Sequence, residues 1–231
     1  MIHIAFNIDE SYLEHCDFTI ATILHNTKEK CHFHIVGLDG YESDEQFSFY
    51  PAPKTDAFKV ESNYISKATL YRLFYPDIIP VDKIIHLDCD LIVRDDIKKL
   101  WKYNQKEIAG CRDCCKGIHL SDHYINAGVM VMNLKNLRKN DYMKRLLAVK
   151  DKARYRFGDQ DIINLALDVE LIDQKWNVSA HNFVGQAQEC YDKENASIIH
   201  YNGQKKPWDY DCDNYEYYRH YERLFAQMNK R

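Results

Sequence analysis

Lys83-Ile84-Ile85-His86-Leu87-Asp88-Cys89-Asp90-Leu91-Ile92-Val93 is the stretch on which the fold turns. An apolar run of strand character ends in two acids one residue apart. Side chains at i and i+2 of an extended chain point the same way, so Asp88 and Asp90 can present carboxylates to one point in space. Two acids that close repel each other unless one is protonated or a cation lies between them. A hard divalent cation with oxygen ligands is the usual solution. In open α/β sheets, ligands bind outside the carboxyl ends of strands, which is where this pair stands. The spacing therefore predicts a metal-bound phosphate at Asp88 and Asp90.

Working outward, Ile2 to Ile8 reads as a buried first strand. A helix from Tyr12 to His25 follows, capped by Asp9 or Ser11, with Leu13, Cys16, Ile20, Ile23 and Leu24 at helical spacing. His32 to Leu38 reads as a second strand. This strand–helix–strand opening predicts a parallel sheet. Tyr41 to Lys59 has no clear period and reads mostly as loop, with a short strand at Phe58 to Glu61. Ser66 to Ile79 is predicted helical and ends at Pro76 and Pro80. Asp95 to Trp101 is a short helix, Glu107 to Cys111 a strand, Cys111 to Tyr124 a polar loop. Asn126 to Asn133 contains a buried strand, and its Ala127-Gly128 pair lets something approach the backbone closely. Leu134 to Lys150 reads as one amphipathic helix. Phe157 to Asp161 caps a helix through Leu167. Glu170 to Asp173 and Ser197 to Tyr201 are strands, and Tyr215 to Lys230 is a helical tail. The expectation is one domain over 1–231, with its helical tail at about 213–231.

Composition excludes some classes. A net charge of −4 gives no argument for nucleic-acid binding. No run approaches the roughly 18 apolar residues of a membrane span, and the N-terminus lacks a basic signal-peptide region. Eight cysteines without framework spacing predict free thiols in a reducing cytoplasm. Cys111, Cys114, His119 and His123 are spaced too tightly for a zinc finger. The 17 tyrosines suit either sugar stacking or core filling.

Two further features join the acid pair. Asp159-Gln160-Asp161 is a second acidic cluster. His200 ends an apolar strand and is followed by a glycine loop with Lys205 and Lys206. Two carboxylates and an imidazole suit Mn²⁺ better than Mg²⁺, and a lysine there can hold a phosphate as a point charge.

In motif order the chain resembles the family 8 glycosyltransferases, which include bacterial lipopolysaccharide α-galactosyl- and α-glucosyltransferases and glycogenin. The carrying motifs are Phe6-Asn7-Ile8-Asp9-Glu10-Ser11-Tyr12, Tyr71-Arg72-Leu73, the Asp88-Cys89-Asp90 stretch, Asn126-Ala127-Gly128-Val129, Asp159-Gln160-Asp161, and His200 to Gly203 with Lys206-Pro207-Trp208. The resemblance implies an α/β GT-A fold and a retaining, Mn²⁺-dependent transfer of galactose or glucose from a UDP-sugar to a glycan or lipid-linked glycan hydroxyl; Mg²⁺ is the alternative ion. It implies that Asp88, Asp90 and His200 ligate the metal. Asp9 would face the uracil edge and Tyr12 would stack on its ring, with Phe6 and Cys89 also on the donor side. Arg72 would reach the sugar or diphosphate, Asn126 and Ala127 would line the sugar, and Asp159 would hold its hydroxyls. Gly203 and Lys206 would close over the β-phosphate, Gln160 would face the anomeric carbon, and Asp113 would stand on the acceptor side. The first motif departs from the family's usual pattern in having Glu10 and Ser11 after Asp9. Many bacterial members carry a basic, aromatic C-terminal extension, and here only Lys230-Arg231 stand for it. The implied location is cytoplasmic, with at most peripheral membrane contact.

Implied chemistry is electrostatic. Metal and Lys206 neutralise the leaving diphosphate, and the acceptor attacks on the same face while the Gln160 carbonyl stabilises the sugar cation. Two other readings fit the acid pair. One is a phosphohydrolase of the haloacid-dehalogenase type, with Asp88 as nucleophile. The other is a non-catalytic sugar-binding module.

Overall fold

The computed structural model describes residues 1–58, 66–103, 105–113, 123–150, 158–181, 190, 192–209 and 212–228. Ten strands form two sheets among them. They are β1 (Ile2–Asn7), β2 (Cys31–Val36), β3 (Phe47–Tyr50), β4 (Ile84–Leu87), β5 (Leu91–Val93), β6 (Ile108–Arg112), β7 (Ile125–Met132), β8 (Val169–Leu171), β9 (Val178–Ser179) and β10 (Ile198–His200). The large sheet runs β3-β2-β1-β4-β7-β6-β8, and the small one runs β5-β10-β9. Four of the six pairings in the large sheet are parallel, and only β7 runs against its neighbours. Helices are α1 (Leu13–Asn26), α2 (Tyr75–Ile78), α3 (Lys98–Trp101), α4 (Leu134–Lys139), α5 (Tyr142–Val149), α6 (Asp159–Ala166) and α7 (Tyr215–Met228).

Strand alternation builds a core on each face of the large sheet. Ile2, Ile4 and Phe6 of β1 pack with Phe33 and Ile35 of β2 against Cys16, Ile20 and Ile23 of α1. Ala5, Val36 and Ile84 point the other way, toward Leu70, Leu73, Tyr75 and the inner faces of α4, α5 and α6. A third cluster joins the small sheet to α7 through Tyr201, Tyr218 and Tyr221. These tyrosines, with the equally buried Tyr75, Tyr124 and Tyr142, are core residues.

Three local expectations differ from the structure, each for its own reason. Residues 66–79 do not form one α-helix. Lys67–Phe74 is a 3-10 helix, capped by the Ser66 hydroxyl on the Ala68 amide at 3.2 Å. Pro76 has no N–H to give the Arg72 carbonyl, and the Arg72 side chain takes the Thr69 carbonyl at 3.1 Å. Residues 134–150 are two helices, because Asp141 adopts a left-handed conformation at φ 49°. Asn140-Asp141 is a pair in which Asn and Asp tolerate that region best. Phe47–Tyr50 is an edge strand within the expected loop; four residues give too little alternation to recognise. Of the strand expected at Phe58 to Glu61 only Phe58 is among the described residues, and the loop and zinc candidates Cys114 and His119 lie outside them. Free thiols are found at Cys16, Cys31, Cys89, Cys111 and Cys212, all buried. Cys190 corrects that expectation, being disulfide-bonded.

Candidate active site

β4 ends at Leu87, so Asp88 leaves the sheet at its carboxyl edge and the Asp88 amide donates to the Gly128 carbonyl at 2.8 Å. The chain then turns into β5, which pairs antiparallel with β10 in the register His200↔Leu91. That register sets His200 beside Asp90: its Nε2 lies 3.0 Å from Asp90 Oδ1 and 3.7 Å from Asp88 Oδ2. Ligand atoms of the three residues all lie within 4.8 Å of one another. Two carboxylate oxygens and an imidazole nitrogen at that separation can hold a divalent ion. Gly128 makes room for them, since a Cβ there would sit 2.2 Å from His200 Cε1 and 2.8 Å from Asp88 Oδ2. What approaches this glycine is therefore the acid–histidine cluster itself.

Cations hold the acids. Arg72, buried at 4 % exposure, donates Nη2 to Asp88 Oδ1 at 2.9 Å and Nη1 to the Ala127 carbonyl at 2.7 Å. Its Nε also lies 3.2 Å from Asp159 Oδ2. Lys206 Nζ sits 2.5 Å from Asp90 Oδ2 and 3.0 Å from the Tyr201 carbonyl. Burial pushes both acids of the pair up, but the Arg72 charge overrides it at Asp88, whose carboxyl lies well below the usual range. Lys206 and His200 bring Asp90 down to about 2. Asp159 differs. Burial raises it despite Arg72, and the Thr69 hydroxyl donates to it at 2.8 Å. Burial also depresses His86, to about 4, helped by Arg72.

A second group lies across β7. Gln160 on α6 accepts from the Ala127 amide through Oε1 at 3.0 Å. Its Nε2 donates to Asp113 Oδ2 at 2.9 Å and to the Tyr124 hydroxyl at 3.3 Å. Asn126 donates to the same Asp113 oxygen at 3.2 Å. The backbone amide fixes which end of the Gln160 carboxamide is oxygen. Asn126, Ala127, Gln160 and Asp113 thus form one hydrogen-bonded unit, and Asp159 is tied to Asp88 through Arg72.

Other predicted residues are placed less directly. Asp9 caps the turn Glu10–Tyr12 by accepting from the Ser11 amide at 3.1 Å, and accepts from Ser66 at 3.1 Å. Tyr12 lies edge-on to His15 and Trp208, and the last two stack at 3.5 Å. Phe6 is fully buried with its ring toward Phe33, and Cys89 points into the same core. Only their backbones are left to line a donor site, because alternation turns both side chains inward. Gly203 lies against the His181 ring, 2.5 Å from where its Cβ would be.

Sequence reasoning missed Asn177. It is buried at 5 % exposure, accepts from His200 Nδ1 at 3.0 Å and donates to Asn126 Oδ1 at 2.9 Å. A polar residue between Trp176 and Val178 was the one available sign.

Over residues 3–212 the chain matches the model of glycosyl transferase family 8. It belongs to that family, and with the mixed sheet and strand-end acid cluster this makes it a GT-A glycosyltransferase. Among curated relatives it is similar to General stress protein A of Bacillus subtilis, 25 % identical over 90 % of this chain and 88 % of that one. It is also similar to probable galacturonosyltransferase-like 4 of Arabidopsis thaliana, 28 % identical over 90 % of this chain and 73 % of the relative. Among solved structures, the galactosyltransferase LgtC in complex with donor and acceptor sugar analogs shares the fold. The TM-score is 0.78 at 23 % identity, covering 95 % of each chain. None of the described helices is long and apolar enough to cross a membrane.

Proposed function

We propose that this protein is a retaining glycosyltransferase that moves a hexose, galactose or glucose, from a UDP-sugar to a hydroxyl of a glycan or lipid-linked glycan. Residues 1–231 act as one catalytic domain. The observation that carries the reading is the convergence of Asp88, Asp90 and His200 from two strands, with Arg72 and Lys206 beside them. This donor set suits Mn²⁺, with Mg²⁺ as the harder alternative. A divalent ion there would supply positive charge to the departing diphosphate.

Lys206 adds charge to the same leaving group, moving from Asp90 to the β-phosphate beneath Gly203. Asp9 and Tyr12 hold the uracil. Asn126, Ala127 and Asp159 hold the sugar, and Arg72 orients Asp88 and Asp159 around it. Gln160 faces the anomeric carbon. A carboxamide is a poor nucleophile, and this one is pinned on both ends, so its carbonyl oxygen stabilises the developing sugar cation. The acceptor, on the side of Asp113, attacks on the face the diphosphate leaves, and its proton passes to the departing phosphate oxygen. LgtC, named for galactosyl transfer, supports a hexose donor.

A phosphohydrolase is disfavoured by the family and by charge. Asp88 and Asp90 are both held ionised by cations, so neither is a protonated general acid. The test is UDP release from UDP-galactose and UDP-glucose with and without Mn²⁺. Metal-dependent release is expected, with a loss of more than about 100-fold in Asp88→Ala, since even residues supporting a metal ligand carry 10–100-fold. No turnover of any UDP-sugar, or an unaffected variant, overturns the reading.

A further inference from the structure

The hydrogen bonds behind His200 run in one sense, and each step fixes the next. Gly128 N–H is a donor and nothing else, and it lies 3.0 Å from the Asn126 atom that it meets. That atom must be the amide oxygen, Oδ1. The Asn126 nitrogen then faces the Asp113 carboxylate, a pure acceptor, at 3.2 Å. The orientation is consistent at both ends. Asn177 meets the same Asn126 oxygen at 2.9 Å, so it must present its NH₂ there. Its own Oδ1 is thereby turned to His200 Nδ1 at 3.0 Å. An amide oxygen only accepts, so Nδ1 must carry a proton.

A neutral imidazole protonated on Nδ1 has its lone pair on Nε2. That is the atom facing Asp90 Oδ1 at 3.0 Å and Asp88 Oδ2 at 3.7 Å. A divalent ion placed between the ring and the two carboxylates would take that lone pair, while Nδ1 keeps its proton on Asn177. We propose that Asn177 is a positioning residue that holds His200 in the Nδ1–H form and so makes Nε2 a ligand. The relay Gly128–Asn126–Asn177–His200 also ties the metal ligand to the residue that lines the sugar. This role rests on the metal-dependent reading above. Outer partners that fix a ligating histidine are worth about 10–100-fold in metal affinity.

The experiment is Mn²⁺ titration by electron paramagnetic resonance in the presence of UDP, on wild type, Asn177→Ala and Asn177→Asp. Asn177→Ala removes the acceptor and should weaken Mn²⁺ about tenfold or more. Asn177→Asp keeps an acceptor for Nδ1–H, so its Mn²⁺ affinity should stay within about threefold of wild type, while its turnover falls because Asn126 loses its donor. Wild-type affinity in Asn177→Ala, or equal losses in both variants, overturns the role. Should the variants fail to fold, ¹⁵N imidazole correlations of metal-free wild type at about pH 8, where an ordinary imidazole is neutral, decide it. His200 is assigned by comparison with His200→Gln. A proton on Nδ1 supports the role, and one on Nε2 overturns it. Wild type that binds Mn²⁺ but fails these tests loses this role alone. Wild type that binds no divalent ion overturns the transferase reading as well.

Discussion

At the scale of single residues, the site is a balance of charges in a small space. Asp88 and Asp90 would repel each other, yet both are ionised because Arg72 and Lys206 are 2.9 Å and 2.5 Å away. The two cations are not equivalent. Arg72 is bound on several sides and cannot leave, whereas Lys206 makes one ion pair and one carbonyl contact. Lys206 is thus the less tethered of the two cations, and the proposed function has it follow charge onto the diphosphate. Lys206→Ala should lower kcat about 100-fold, the usual cost of losing one stabiliser of transition-state charge. Donor KM should change much less, since that charge is needed most as UDP departs. Steady-state kinetics with a UDP-sugar checks this. A variant with unchanged kcat removes Lys206 from the reaction.

At the scale of elements, a short strap carries Lys206. It leaves β10 at His200, passes Gly203 against His181, and ends in the 3-10 turn Pro207–Asp209. Trp208 on that turn stacks on His15 of α1 with the rings only 9° from parallel. Tyr12 touches both rings edge-on, so the strap is anchored beside the residue proposed to stack on uracil. An aromatic pair of this kind contributes about 0.5–1.5 kcal/mol beyond its buried area. Trp208→Ala should therefore reduce kcat/KM for the donor about threefold to tenfold, with Trp208→Phe close to wild type. Donor-dependent UDP release distinguishes the two. Equal activity in both variants would show that the stack does not hold the strap.

At the scale of the whole molecule, folding fixes buried imidazoles away from water. His34 lies between His3 and Tyr50 on the second face of β1, β2 and β3, with nitrogen-to-nitrogen and nitrogen-to-hydroxyl distances of 3.1 Å. Burial first, then His32 and His3, lowers its pKa from 6.5 to about 3. The unfolded chain takes up this proton near pH 6.5 and the folded chain does not until about pH 3. Stability from this group is full above about pH 6.5 and drains away as pH falls toward 3. The paired acids, Asp90 among them at about 2, begin to lose their contribution only below about pH 5, so the range from about pH 6.5 down to 5 reports mainly on buried histidines. His34→Gln should flatten the fall of the thermal midpoint over that range, measured by circular dichroism. An unchanged slope would assign the acid sensitivity elsewhere.

Much of the fold was legible in the chain. The apolar runs at Ile2, His32 and Lys83 and the helical spacing from Tyr12 gave the parallel β1–α1–β2 unit and the strand-end position of Asp88. Local periodicity suffices there because each element buries a continuous face. The grouping of Asp88, Asp90 and His200 was also legible through motif order, and His200 ends its strand. Sequence could not say that β5 and β10 would pair in the register that brings His200 to Asp90, since that contact joins residues 110 positions apart. Nor could it show that a Cβ at Gly128 would meet His200, or that Asn177 lies against the imidazole. Those facts depend on which surfaces meet. The helices at 66–79 and 134–150 depart from periodicity for local reasons: in the first Pro76 offers no N–H and the Arg72 side chain takes the Thr69 carbonyl, and in the second Asp141 adopts a left-handed conformation. The sequence by itself determined which residues carry charge and where the strands end; only the tertiary structure decided which imidazole nitrogen faces which acid, because that depends on strand pairing between distant segments.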